Sequence, residues 1–214
     1  MPRDRPPRGS PLMYTRGRGQ TVALPSPPVV PASERPAAPL SLGFLTILHE
    51  ASGYLGGYLV TNTWGRPLEF RLSSAVQPNK VQQILYAGTL LPYICADLIG
   101  KTLVDKAAVS VSLVVTDREA ALDLRLKLEV PVLWLAGADD PRALALAGGP
   151  SAVVPASAGR GPVLCHPRYA AQDVPASREL LSRLDSAFDL AEPFGRVREA
   201  IAEARKLGVG ARAA

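Results

Sequence analysis

The hydrophobic period of this chain changes sharply at Pro78, and that change limits what it can fold into. In PLEFRLS (67–73), Leu68, Phe70 and Leu72 fall on one side while Glu69 and Arg71 fall on the other. That period of two is the mark of an antiparallel strand wet on one face. Beyond Pro78 the spacing becomes helical. Leu91, Ile94, Cys95, Leu98, Ile99, Thr102 and Leu103 recur three and four apart, leaving Asp97, Lys101 and Asp105 off the stripe. One face of that helix is buried. A chain carrying both periods side by side is α/β.

The other segments extend this pattern. LGFLTILHE (42–50) predicts a first strand, Gly53, Gly56 and Gly57 a turn, and GYLVTN (57–62) a second strand with Trp64-Gly65 at the hairpin tip. NKVQQILYAG predicts a short helix stopped by Gly88 in a left-handed position, and Thr89 a cap for the long helix, with Pro92 in its first turn. VSVSLVV (109–115) reads as a strand, and Thr116 and Glu119 of TDRE have capping-box spacing. ALDLRLKLEV alternates like a strand but is composed like a helix. A strand there would fuse 121–136 into an element far beyond the usual five or six residues, so a helix over 117–128 and a strand over 130–136 are expected. The result is a mixed sheet, a three-stranded antiparallel meander plus a parallel βαβ unit, flanked by helices.

Residues 41–136 form the α/β domain on this reading. Residues 137–175, rich in Gly, Pro, Ala and Ser, read as a linker or flap, with Asp140-Pro141 as a helix start. Over 176–208 a C-terminal helical hairpin is expected. Ser177 would cap a helix bearing Leu180, Leu181, Leu184 and Phe188; Pro193 would open another with Phe194, Val197, Ile201 and Ala204 in one stripe, ended by Gly208. This hairpin should cover the sheet in cis.

Charge is distributed unevenly. The pI near 9.5 suggests nucleic acid, yet residues 1–40 hold Arg3, Arg5, Arg8, Arg16, Arg18 and Arg35 against only Asp4 and Glu34. With a net charge of +5 for the whole chain, the remainder is close to neutral. The first forty residues also hold 10 of the 21 prolines and no apolar period, so a disordered Pro/Arg-rich leader is expected, with Met13 an alternative start to Met1. Arg3, Arg5, Arg8, Arg16 and Arg18 can contact phosphates weakly and without sequence preference. The arginines lead into prolines rather than an apolar run, and no stretch reaches the roughly 18 consecutive apolar residues of a membrane span. With only Cys95 and Cys165, no disulfide framework is implied, and a reduced cytoplasmic setting without membrane contact is the expectation.

In element order, and in the strings HEASGYLGGYLV and VVTDREAAL, residues 41–136 resemble the ribonuclease H-like fold. That resemblance implies carboxylates around two divalent metals, which hold an attacking water and a leaving oxygen. Its first-strand acid would be Glu50 and its fourth-strand acid Asp117, with Mg²⁺ as cofactor. The helix position falls on Gln82 and Gln83, which are neutral, so the acidic set is incomplete. A longin/roadblock-type module is also similar in its strand meander and flanking helices.

Other chemistry is sparse. His49 and His166 are the only histidines and cannot build a zinc site alone. A Cys165 nucleophile with His49 as base has no local signature, and GGPSAVVPASAGRGP lacks the lysine of a phosphate-cradling loop. The acids read as punctuation, Glu50 as a strand-end charge and Asp117 as a helix-dipole partner. The expectation is therefore a noncatalytic α/β interaction or scaffold module without cofactor. It would meet an unknown protein partner through Tyr54, Tyr58 and Trp64. A ribonuclease H-like, Mg²⁺-dependent nucleic-acid-processing protein is the alternative.

Overall fold

A mostly apolar run from Leu42 to Leu48, interrupted at Thr46, makes Ser41–Glu50 a strand that can be covered on both faces, and the chain builds outward from it. This strand, β1, pairs antiparallel with β2 (Gly53–Asn62) and parallel with β4 (Leu113–Thr116). The computed structural model describes residues 40–154, 161–185 and 187–207. The leader expected over 1–40, with its arginines and Met13, lies outside them except for Leu40, as does Gly208. The sheet has seven strands in the order β3-β2-β1-β4-β5-β7-β6, where β3 is Pro67–Leu72, β5 Val132–Leu135, β6 Ala152–Val154 and β7 Val163–Cys165. β4 and β5 run parallel, while β7 and β6 return antiparallel. The mixed sheet, its opening meander and its parallel unit are as the periodicity predicts.

Helices cover both faces. Helix α1 is Lys80–Tyr86; after one 3-10 turn, α2 occupies residues 90–106, and its middle, Tyr93–Gly100, is wound as a π-helix. Ile94, Cys95, Ile99 and Leu103 of α2 pack with Leu45, Ile47, Tyr58 and Val60 on one side of the sheet. A 3-10 helix, Glu119–Leu126, completes that layer with Leu122 and Leu124. A short helix α3 (Pro141–Leu146) follows β5, with Asp140 accepting from the Arg142 and Ala143 amides as its cap. On the other face α4 (Ala170–Ser182) and α5 (Glu192–Lys206) meet Leu42, Phe44, Leu55 and Leu59 through Val174, Phe194, Val197 and Ile201. Phe44 meets Phe194 edge to face at 5.6 Å. Both helices of the expected hairpin thus dock in cis. By length and composition alone, Lys80–Lys106 would also qualify as a membrane span; in this fold α2 lays its apolar face on β1 and β2.

Several local expectations are corrected. Gly56 and Gly57 lie inside β2 rather than in a turn, which Ala51 and Ser52 make. Their role is close approach, because a Cβ on Gly56 would stand 2.1 Å from Ile99 Cγ2 and one on Gly57 2.5 Å from Val197 Cγ1. The two glycines point to opposite faces and let a helix settle on each. On β3 the expected wet side is the one engaged: Glu69 accepts from the Ala108 and Val109 amides, whereas Leu68 and Phe70 are exposed. The backbone break after α1 falls on Ala87 (φ 43) rather than Gly88.

TDRE forms no capping box. Thr116 Oγ1 accepts from the Arg118 amide and Glu119 turns to Arg142, because Asp117 is drawn sideways to β1. The disputed leucine run winds as a 3-10 helix, whose period of three brings Ala121, Leu122, Leu124 and Arg125 inward together. Residues 137–175 are not a linker: they contain α3, β6 and β7, and the latter two complete the sheet. Their three-residue strands are too short to print a period; backbone pairing, the burial of Val153, Leu164 and Cys165, and Arg178 donating to the Ala152 and Val153 carbonyls hold them in place. Ser177 is buried within α4 instead of capping it, since His166 caps the turn that leads into the helix and α4 begins at Ala170, well before the expected start.

Candidate functional site

Asp117 follows directly on β4, and the parallel register of β4 with β1 sets it beside Thr46, which is fully buried. The Thr46 hydroxyl donates to both Asp117 carboxylate oxygens at 2.8 and 2.7 Å, and Arg198 of α5 closes on the same carboxylate. Glu50 lies four residues further along β1, about 13 Å at roughly 3.3 Å per residue. It is paired with Arg205, a different arginine of the same helix. The two acids are therefore held by separate arginines about two helical turns apart. The strand position facing Asp117 is a threonine, and each carboxylate already has a guanidinium as counter-charge. This donor set does not fit Mg²⁺, which binds through carboxylates and water that can give up other partners. Among the described residues, no three His, Cys, Asp or Glu side chains converge as a metal site.

The aromatic trio is also separated. Tyr58 is 1% exposed in the core, correcting its reading as a binding residue. Its hydroxyl lies over Gly43 and has no hydrogen-bond partner among the described residues, and burial raises its pKa. Trp64 is 74% exposed at the β2–β3 hairpin, where Gly65 supplies the left-handed turn (φ 75). Tyr54 is half-buried and stacks on His49 across β1 and β2, with ring centroids 4.2 Å apart and planes 12° from parallel. Cys165 sits in the core cluster under α4, its thiol pushed up to about 11 by burial, while His49 faces the opposite side of the sheet. No Cys165–His49 pair exists.

The feature that sequence reasoning missed is a cavity of about 640 Å³ on the α2 side, walled by β1, α2 and the 3-10 helix. Its apolar wall is Ile47, Leu91, Pro92, Cys95 and Leu122; its rim carries His49, Tyr54, Arg118, Arg142 and His166. Both histidines of the chain come to this one place from opposite halves of the sequence, so no local signal marked it. The charged groups are partly committed. Arg142 holds Glu119 at 3.0 Å, and His166 Nε2 stands 3.4 Å from Asp123 Oδ1 while its Nδ1 accepts from the Arg168 amide. Arg118 donates through Nε to the Ile47 carbonyl at 2.9 Å. Cys95 borders the cavity as a neutral thiol, raised to about 12 chiefly by burial. Such a concave, mostly apolar site with a few polar groups is suited to a small ligand.

A comparison with protein-family models finds none that matches the chain, and a comparison with curated proteins finds no match.

Proposed function

We propose that this chain is a noncatalytic α/β interaction module whose protein partner docks on helix α1. One observation carries this reading: α1 has no buried residue, yet Val81, Ile84 and Leu85 form an i, i+3, i+4 stripe, with Ile84 68% and Leu85 75% exposed. An amphipathic helix whose apolar side is left open among the described residues is the form recognised by a hydrophobic groove on a partner. Its fold cost is already met locally, because Asn79 and Gln82 build a reciprocal cap. The arginine-paired state of Glu50 and Asp117 supports the noncatalytic half of the reading.

Substituting Ile84→Glu and Leu85→Glu together in the full-length chain tests this. A protein that co-purifies with the wild type should be lost, with the melting temperature unchanged. Retention of the same partner by the double variant would refute the docking site.

The meander followed by helix, strand, helix and strand supports a second reading, a ribonuclease H-like nucleic-acid-processing protein with a degenerate acidic site. Under it, millimolar Mg²⁺ should raise the melting temperature through binding to the native state; an unmoved transition counts against it.

A further inference from the structure

We propose that the cavity between β1, α2 and the 3-10 helix binds a small, flat, singly charged anion of the aromatic carboxylate class, with its carboxylate on Arg118 and its ring against the stacked His49–Tyr54 pair. This goes beyond the docking role of α1 and rests on different residues.

The argument runs from what each polar group has left to offer. Glu119 is answered by Arg142, and Asp123 lies within reach of His166. Arg118 is fixed by its Nε bond to the Ile47 carbonyl, which leaves the two terminal nitrogens of a positioned fork. Among the described residues those nitrogens have no hydrogen-bond partner. A guanidinium fork matches a carboxylate with two parallel N–H···O bonds. His49 and Tyr54 stack with nearly parallel planes, and the outer face of such a pair is a surface on which a further ring can stack. Ile47, Leu91 and Leu122 give the ring an apolar bed.

The same inventory argues against other ligands. A doubly charged phosphate would meet Glu119 and Asp123 with, among the described residues that line the cavity, one uncommitted cation to offset it. A neutral ring would leave the Arg118 fork desolvated and unanswered. A metal ion has no third convergent ligand among the described residues.

Titration calorimetry on the full-length chain with 2-naphthoate, 2-naphthamide, cyclohexanecarboxylate and adenosine monophosphate tests the site. The expected result is saturable 1:1 binding of 2-naphthoate, with the amide and the non-planar acid each weaker by about tenfold or more, the loss of one charge-assisted or stacking contact. Arg118→Gln should weaken 2-naphthoate by a similar factor at an unchanged melting temperature, and Tyr54→Leu should weaken it without altering the preference for acid over amide. The proposal is overturned if 2-naphthamide binds as tightly as the acid, if Arg118→Gln leaves affinity intact, if adenosine monophosphate binds more tightly than 2-naphthoate, or if none of the four saturates.

Discussion

Beneath α5, Thr46, Asp117 and Arg198 close on one another and Arg205 holds Glu50; across the sheet, Arg118, His49 and Tyr54 stand around an open cavity. The two sides use similar residue types to different ends. Under α5, Asp117 and Glu50 are each matched by an arginine of the helix, so those groups serve docking. On the α2 side Arg118 is positioned by the Ile47 carbonyl and, among the described residues, otherwise uncommitted. A charged residue next to a strand end is thus informative only once its partner is known. Asp117, which a family resemblance would make catalytic, is part of the seam that attaches α5.

The comparison can be broken most forcefully at the buried ion pair. Arg125 and Asp173 are 5% and 1% exposed, with Arg125 also donating to the Leu128 carbonyl and lying 4.1 Å from the Tyr169 ring centre. Arg125→Leu should destabilise the chain by about 3–5 kcal/mol in urea denaturation, because Asp173 is left charged and alone. Arg125→Met combined with Asp173→Leu should recover most of that loss. An Arg125→Leu variant of wild-type stability would mean the seams are not structural.

Next in size is the close contact between β2 and α5. Gly57→Val should cost about 1–3 kcal/mol by driving a side chain into Val197 and Ile201. Val197→Ala should rescue part of it in a double-mutant cycle. Additive losses would place the damage elsewhere.

A smaller effect separates the two readings of Asp117. Arg198 is half exposed, so Arg198→Gln should lower stability by less than about 1 kcal/mol. The variant's melting temperature should stay insensitive to Mg²⁺. A rise on adding Mg²⁺ would mark Asp117 as a masked metal ligand rather than an attachment point.

The smallest effect is in acid. Glu69 is held below the ordinary carboxylate range, first by the Val109 amide, then by the Ala108 amide and Arg71, against the opposing effect of burial. A lowered folded-state value contributes stability that is present above the unfolded value and lost as pH falls through the folded one. Melting curves followed into acid should therefore show Glu69→Gln losing less stability than the wild type over that window; parallel curves would remove Glu69 from the account.

Legibility in the sequence followed the range of each interaction. The stripe at Ile94, Cys95 and Ile99 and the one at Phe194, Val197 and Ile201 could be read because a helix repeats its environment every three or four residues. Asp140-Pro141 could be read because a cap bonds to amides two and three residues away. Thr116 and Glu119 had the same short-range spacing, but a partner distant in the chain outbid it. The cavity was not legible at all, since its walls come from β1, α2, the 3-10 helix and the turn after β7.

What the amino acids determined by themselves was the class of fold and the place of its main layers. Strand and helix periods are set by neighbours within a few positions, and burial follows from them. What only the folded chain decided was the partner of each polar group and the standing of residues 137–175. Thr46 and Asp117 are 71 positions apart and Arg198 another 81 beyond, so their meeting depends on strand order and register. No local pattern encodes a contact of that span; backbone pairing across the sheet creates it.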